Sequence, residues 1–428
     1  MAAAPPLAGE PAVAIPAAAA APKLPEIEEA ARLFRAGDYD NTMRALQEGA
    51  KKVPDMPPAE VVMAGWFIAG NQVVMGRTAL ERAITNMPND PDAYLLLGDL
   101  ALRSRQNIEA GLLFEKVQSL TRAMKDPSPR FMAAKRRALA GLATVAEERR
   151  DWAAAQTHLE ALIAEEPKNA AALQRFGRVL FMQKQKEELA LEKLREAAKL
   201  DESLLSAEAT LAQLYQEAGD VKNAGKWMLE AIKVNPRDAK TRVAAAQWSY
   251  EIGKLEQAEE QAKAAVTLDP GSLNCQLIRG AVALLRKDYK TAQEFLEKAH
   301  LQAPTNFSAT NNLALALASQ DNDAAKQLGL EYAQINSRVF PDQAEAFSTL
   351  GWALYRLGRL DEAEAHLSKA ITMPRATPDT FYYLARIMLD RGRKDNARML
   401  LQTPAMKSSG QYLTRKEAEA LLEELSRR

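Results

Sequence analysis

Short amphipathic stretches follow one another along this chain in pairs, and the pairs recur every 34 residues. Three consecutive units set the register: Leu205 to Asp238, Ala239 to Ser272 and Leu273 to Asn306, each with a proline near its end, at Pro236, Pro270 and Pro304. Carried outward, the register starts eleven units at Lys23, Pro57, Pro91, Arg136, Ala170, Leu205, Ala239, Leu273, Phe307, Ala344 and Pro378. The eighth residue of every unit is alanine or glycine: Ala30, Ala64, Gly98, Ala143, Gly177, Ala212, Ala246, Gly280, Ala314, Gly351 and Ala385. A larger side chain there would force two packed helices apart, so the pattern predicts a close helix–helix crossing in each unit. Further small positions follow on the second stretch, among them Ala110, Ala155, Ala224, Ala258, Ala292, Ala363 and Ala397. Turn residues such as Gly37, Gly219, Gly253, Gly358 and Gly392 separate the two stretches. Each unit therefore reads as helix A, turn, helix B, turn.

Departures from the register are local. Eleven residues, Lys125 to Lys135, are inserted between the third and fourth units, one is added in the turn of the fifth, and three are added near the end of the ninth. They predict lengthened helices or a local change of superhelical pitch. The first two units and the last lack several small positions, with Thr42, Gly76 and Pro404 standing in their place. Residues 412–428 read as a capping helix, with Ala418, Leu421, Leu422 and Leu425 on one face and Thr414 three residues before Glu417 in the spacing of a capping box.

This pattern resembles that of tetratricopeptide repeat proteins, whose signature places small and aromatic residues and a proline at fixed offsets. Phe347, Leu350, Gly351, Leu354, Ala363, Leu367 and Ala370 carry the resemblance, and Leu211, Ala212, Tyr215, Ala224, Ala231 and Pro236 repeat it. It covers about residues 23–411. The resemblance implies an all-α, right-handed α-solenoid of about eleven helix-turn-helix repeats, with helix A of each unit lining a concave groove.

The groove-facing positions implied by the family are the second, fifth, sixth, ninth and twelfth of each unit. They carry Gln174, Arg175, Arg178, Gln213, Lys240, Gln247, Asn274, Asn311 and Asn312, then Trp352, Tyr355, Tyr382, Tyr383 and Arg386. Amides can pair with both groups of an extended peptide backbone, arginine can fork onto carboxylates, and the aromatic rings can anchor apolar side chains. Two groove arrangements of the family are not matched. Its carboxylate clamp would need Lys and Asn where Ala209/Gln213, Val243/Gln247 and Leu277/Ala281 stand, and its asparagine ladder is met only at Asn312.

Composition agrees with a helical array: 47% of residues are hydrophobic, 26% charged and only 6% aromatic. Fifty-six basic residues balance fifty-six acidic ones, so no net field draws the chain to nucleic acid or anionic lipid. One basic concentration, Arg122, Lys125, Arg130, Lys135, Arg136 and Arg137, is opposed in sequence only by Asp126. It reads as the polar side of the lengthened helices, with docking of an acidic partner or nucleic acid as the alternative.

The sequence shows no catalytic constellation. His158, His300 and His366 fall on helix B of different units and read as surface histidines, and no phosphate-binding glycine loop occurs. The carboxylate pairs Glu147/Glu148, Glu259/Glu260 and Glu423/Glu424 read as solvated helix faces, and the single cysteine, Cys275, as a small buried hydrophobe. No metal, cofactor or small-molecule substrate is expected.

Residues 1–22 read as a disordered Ala/Pro-rich tail with no basic residue before a hydrophobic run, unlike a secretory signal. No run reaches the roughly 18 apolar residues of a membrane span. The expectation is a non-enzymatic, cytoplasmic scaffold binding proteins or extended peptides. The alternative is an envelope-associated chaperone or assembly factor, periplasmic or membrane-tethered through the tail. Self-association through an uncapped N-terminal unit stays open.

Overall fold

The computed structural model describes residues 24–53, 55–184, 186–407 and 411–427; the expected tail at 1–22 and the first unit's start at Lys23 lie outside them. Among the described residues the chain is all-helical, with twenty-three α-helices and one 3-10 turn, Pro404–Lys407. These residues form two compact units that divide between Leu214 and Tyr215.

In the N-terminal unit the helices pair as α1 (Pro25–Arg35) with α2 (Tyr39–Lys52), α3 (Ala59–Ala69) with α4 (Val73–Asn86), and α5 (Pro91–Arg103) with α6 (Asn107–Arg122). They continue as α7 (Pro129–Glu148) with α8 (Trp152–Glu165) and α9 (Ala170–Met182) with α10 (Glu187–Leu200), and α11 (Ala207–Glu217) runs across the division. The C-terminal unit continues with α12 (Val221–Val234), then α13 (Ala239–Glu251) with α14 (Leu255–Leu268), α15 (Leu273–Leu285) with α16 (Tyr289–Gln302), and α17 (Phe307–Ala318) with α18 (Asp323–Val339). It ends with α19 (Ala344–Arg356) and α20 (Leu360–Thr372), α21 (Pro378–Asp390) and α22 (Lys394–Leu401), and a last helix, α23 (Arg415–Ser426).

The inserted residues lengthen the two helices that flank them: α6 has 16 residues and α7 has 20, beginning at Pro129 rather than Arg136. Likewise the ninth repeat's extra residues extend α18 to 17, against 14 in α16. Thr42 takes the small position on α2 by turning its hydroxyl onto the Asp38 carbonyl, 2.7 Å away, so a polar residue is buried there at no cost in unmet bonds.

The eighth residue of helix A closes each pair. A Cβ added at Gly280 would lie 2.5 Å from Leu296, at Gly351 2.5 Å from Leu367, and at Gly177 2.7 Å from Leu194. Phe114 is the extreme case. Its fully buried ring is wedged between Gly98 on α5 and Gly141 on α7, each of whose hypothetical Cβ atoms would come within 2.5 Å of it.

Within a pair, one left-handed residue turns the chain. Gly37, Gly219, Gly253, Gly358 and Gly392 adopt φ of 76 to 79°, as glycine readily does. Asn71, Arg105, Arg150, Lys184 and Lys287 occupy the same place in their repeats with φ of 56 to 61°. Side chains rarely tolerate this geometry, so the surrounding bonds must impose it. At α7, Arg150 N–H donates to Glu147 O (2.9 Å) and Asp151 N–H to Ala146 O (2.8 Å), closing the helix end. Asp151 then caps α8 by accepting from Ala154 N–H at 3.1 Å, so one tripeptide ends a helix and starts the next.

At the C-terminus, α23 lays Ala418, Leu421 and Leu425 on the core of α21 and α22. The expected capping box does not form: Thr414 caps no N–H of α23 with its side chain, and its hydroxyl instead donates to Asp379 Oδ1 at 2.7 Å. Thr414 has φ −101° and ψ 15°, outside the extended backbone of a capping residue, so its oxygen is not set to accept from the first turn.

Two outcomes follow for stability. Gly141→Ala gains up to about 1 kcal/mol of helix propensity, but overpacking against Phe114 costs about 1–3 kcal/mol. Urea unfolding should therefore show a net loss that Phe114→Leu partly reverses in the double variant, and a Gly141→Ala protein as stable as the parent would refute the wedge. Arg150→Gly, at an exposed left-handed site, should stabilise by about 1 kcal/mol in the same assay.

Candidate partner-binding face

In the C-terminal unit the A helices α13, α15, α17, α19 and α21 pack each on the next, whereas each B helix packs mainly between two A helices. Successive elements crowd together on the inside of a curved stack. The A layer is therefore this unit's inner side, and the positions it exposes are the candidate face.

On the N-terminal unit Gln174, Arg175 and Gln213 are half-buried and Arg178 is exposed. Arg175 is held within the chain: its guanidinium donates to Glu147 Oε1 (2.9 Å), Thr144 Oγ1 (3.0 Å) and the Ala140 carbonyl (3.4 Å) on α7. On the C-terminal unit Lys240 and Asn274 are exposed, Asn312 is half-buried, and Gln247 donates to Glu251 at 3.2 Å. Asn311 is only 4% exposed, and its Oδ1 has no hydrogen-bond partner among the described residues.

The aromatic residues converge. Trp352 stacks on Tyr383 (ring centroids 4.3 Å apart) and on Tyr355 (5.3 Å), and Tyr382 meets Tyr383 edge-on at 6.1 Å. Trp352 Nε1 donates to Ser319 Oγ (3.1 Å) and the Tyr355 hydroxyl to Asp390 (2.8 Å). Arg386 bonds the Tyr355 hydroxyl and so joins the cluster. Burial drives the Tyr382 and Tyr383 hydroxyls above the ordinary phenol range, so both stay neutral.

Two residues of this layer were not singled out from sequence, although the position rule contains both. Asp379, second in its repeat, accepts from Leu413 N–H (3.2 Å), Thr414 N–H (2.7 Å) and the Thr414 hydroxyl (2.7 Å). Burial nonetheless pushes its carboxyl up, against the pull of those bonds. Tyr250, twelfth in its repeat, has its hydroxyl pushed up by burial and then by the charges of Asp379, Glu345 and Glu251. The side chains at the C-terminal end of α13 and the N-terminal end of α21 thus share one electrostatic environment.

Four of the six basic residues around the insertion are paired with acids of earlier repeats or of α8. Arg130 pairs with Asp90 (2.7 Å), Asp92 and Asp55 (3.5 Å), Lys135 with Glu165, Arg136 with Glu166 (2.7 Å), and Arg137 with Asp99 (2.6 Å). The acids lie up to 75 residues away in sequence, as with Asp55 and Arg130, which is why local charge counting missed them. The solvated carboxylate faces are partly a misreading for the same reason: Glu147 binds Arg175, and Glu259 binds Arg279 (2.8 Å) and Lys263 (2.8 Å).

The histidines are also less exposed than expected. All three are half-buried; His300 Nδ1 lies 3.0 Å from Thr310 Oγ1, and His366 stacks on Phe347. Cys275 is buried, and burial raises its thiol. Among the described residues no group of three or more His, Cys, Asp or Glu could hold a metal ion, and no helix is long and apolar enough to cross a membrane.

The architecture is that of a helical repeat protein built from helix-turn-helix pairs. Three stretches, 141–204, 209–238 and 344–373, match models of the tetratricopeptide repeat, and the chain is a tetratricopeptide repeat protein. Among solved structures it is similar to a tetratricopeptide repeat protein from Parabacteroides merdae (14% identity, TM-score 0.44, 68% of this chain and 99% of that one). It is also similar to yeast Tom70 (12% identity, TM-score 0.36, 94% and 95%). The human protein O-mannosyl-transferase TMTC1 is 23% identical over 164 residues, 38% of this chain but only 19% of that protein's length.

Arg130 joins three repeats at a site where its own side chain is 16% exposed and those of Asp90 and Asp92 13% each. Arg130→Ala leaves buried carboxylates unpaired and should lower stability by about 3 kcal/mol at pH 7. Burial already raises the Asp92 carboxyl, so it takes up a proton at higher pH than an ordinary aspartate. As pH falls through that raised range the unpaired charge disappears, and the loss measured by urea unfolding should shrink by pH 4. An equal loss at both pH values would remove the ion pairs from the account.

Proposed function

We propose that this chain is a scaffold that binds partner proteins, through extended segments, along the A-helix face of its repeats. The observation that carries the reading is the side-chain set left exposed or half-buried on that face in the C-terminal unit: amides at Gln247, Asn274 and Asn312, together with the Trp352 ring, packed on buried Tyr383, and the Arg386 guanidinium. Such a set offers donors and acceptors to a peptide backbone and an apolar anchor for one of its side chains.

A binding role also accounts for what the titratable residues do. His300 and His366 pack against neighbouring side chains, and the carboxylates around the insertion are tied to arginine or lysine. His300 with Thr310, Arg130 with Asp90 and Arg137 with Asp99 join different repeats. The transferase activity in the human relative's name is not carried over, since the match spans a fifth or less of that protein (19%). The reading stands whether or not residues 1–22 act as a spacer.

The test is a pull-down from native lysate with the intact chain and with a variant carrying Arg178→Glu, Lys240→Glu, Asn274→Ala and Asn312→Ala. Circular dichroism checks that both are helical. A partner retained by the intact chain should be captured at least tenfold less by the variant, and undiminished capture would sink the A-face reading.

A further inference from the structure

The last helix needs only its apolar stripe to cap the stack, yet the chain leading into it does something a cap does not require. Residues 411–414 are non-helical and lie on the inner face of the C-terminal unit. There Asp379 grips their backbone through the consecutive N–H groups of Leu413 and Thr414 and the threonine hydroxyl. Tyr412 is 3% exposed and belongs to the same apolar cluster as Tyr382 and Tyr383. The Arg415 guanidinium lies 4.7 Å from the Tyr412 ring centroid. Upstream and downstream, Gln411 abuts Gly253 and Glu417 pairs with Lys287, in the turns of the repeats that begin at Ala239 and Leu273. The segment therefore spans the unit from its last repeat to repeats three and four places earlier, past Tyr250, whose hydroxyl senses Asp379.

We propose that this inner face is a receptor for a non-helical, turn-forming polypeptide segment carrying an aromatic residue two positions before Ser or Thr, and that Gln411–Thr414 occupies it in cis, in competition with such a partner. The proposal rests on the A-face reading above and identifies one of its subsites. Its chemistry is specific. A carboxylate can accept two successive N–H bonds only from a chain whose amides are not already used in a helix or sheet, and the added hydroxyl bond selects Ser or Thr. The aromatic residue joins the apolar cluster that includes Tyr382 and Tyr383. Exchange of the cis segment for a trans one replaces these bonds with the same bonds, so the outcome is decided by concentration. A tethered segment acts at an effective concentration of about a millimolar, which is what a free partner must overcome.

The experiment uses full-length protein and a fluorescein-labelled peptide of sequence KSSGQYLTRKE, residues 407–417 of the chain. The Tyr412→Ala/Thr414→Val double variant, with its cis segment weakened, should bind the peptide at least tenfold more tightly than the intact chain, and adding Asp379→Ala should remove that gain. Equal binding by the intact chain and the double variant, or a gain that survives Asp379→Ala, overturns the proposal. Hydrogen exchange on the unmutated chain needs no variant to fold: saturating peptide should speed exchange across residues 411–417, and unchanged exchange also overturns it. None of the residues substituted in the pull-down belongs to this subsite. Loss of partner capture there with no peptide competition here would leave the A-face reading standing and this proposal refuted.

Discussion

The structure depends on one close approach repeated along the chain, the crossing of helix A over helix B at the eighth residue of each repeat. Where that residue is glycine, as at Gly177, Gly280 and Gly351, a leucine of helix B fills the place a Cβ would take. Where it is alanine, as at Ala212 or Ala385, the methyl is fully buried instead. Either way the crossing fixes how far apart the paired helices stand, and with it which residues of helix A are left over for the other side. A helix has only so many faces; two of them are spent on its own B helix and on the next repeat, and the remaining one becomes the candidate binding face.

The same economy explains the insertion. Lengthening α6 and α7 sends several arginines and a lysine beyond the ordinary repeat edge, where apolar packing is thinner. Acids from preceding repeats meet Arg130 and Arg137, and acids at the end of α8, the partner helix of α7, meet Lys135 and Arg136. Isolated surface pairs contribute little, but here Asp92 and Asp99 are buried deeply enough that their carboxyls are pushed up despite a cationic partner. The pairs work as register keys: a lost partner strands a charge in a poorly solvated place.

How much of this could be read from the sequence varies with the range of the interaction. The helix pairs, the small crossing residues and the lengthened helices at the insertion were legible, because each is set by residues within one repeat. Left-handed turns were legible only at glycine; Arg105, Arg150, Lys184 and Lys287 adopt the same geometry because bonds at the helix end and the following cap impose it, which composition does not reveal. The ion pairs around Arg130 were hidden, since stacking brings together acids and bases that are tens of residues apart in the chain. Thr414 misled for a different reason: its spacing to Glu417 is that of a capping box, but its backbone, at φ −101° and ψ 15°, does not take the extended geometry a capping residue needs.

Of the candidate face, the sequence could supply positions but not their neighbours. Trp352, Tyr382 and Arg386 are drawn into one cluster, whereas Arg175 is spent on α7 and Asn311 is sunk with one oxygen unmet. Asp379 marks the difference most sharply. As a residue at the second position of a repeat it is one polar side chain among many; in place, it is a buried carboxylate that accepts from a segment 34 to 35 residues downstream. A buried anion of that kind is costly unless something keeps supplying N–H and O–H groups to it. The inner face of the C-terminal unit is therefore not a passive polar surface. On the proposal above, a segment of another chain supplies the same donors to Asp379.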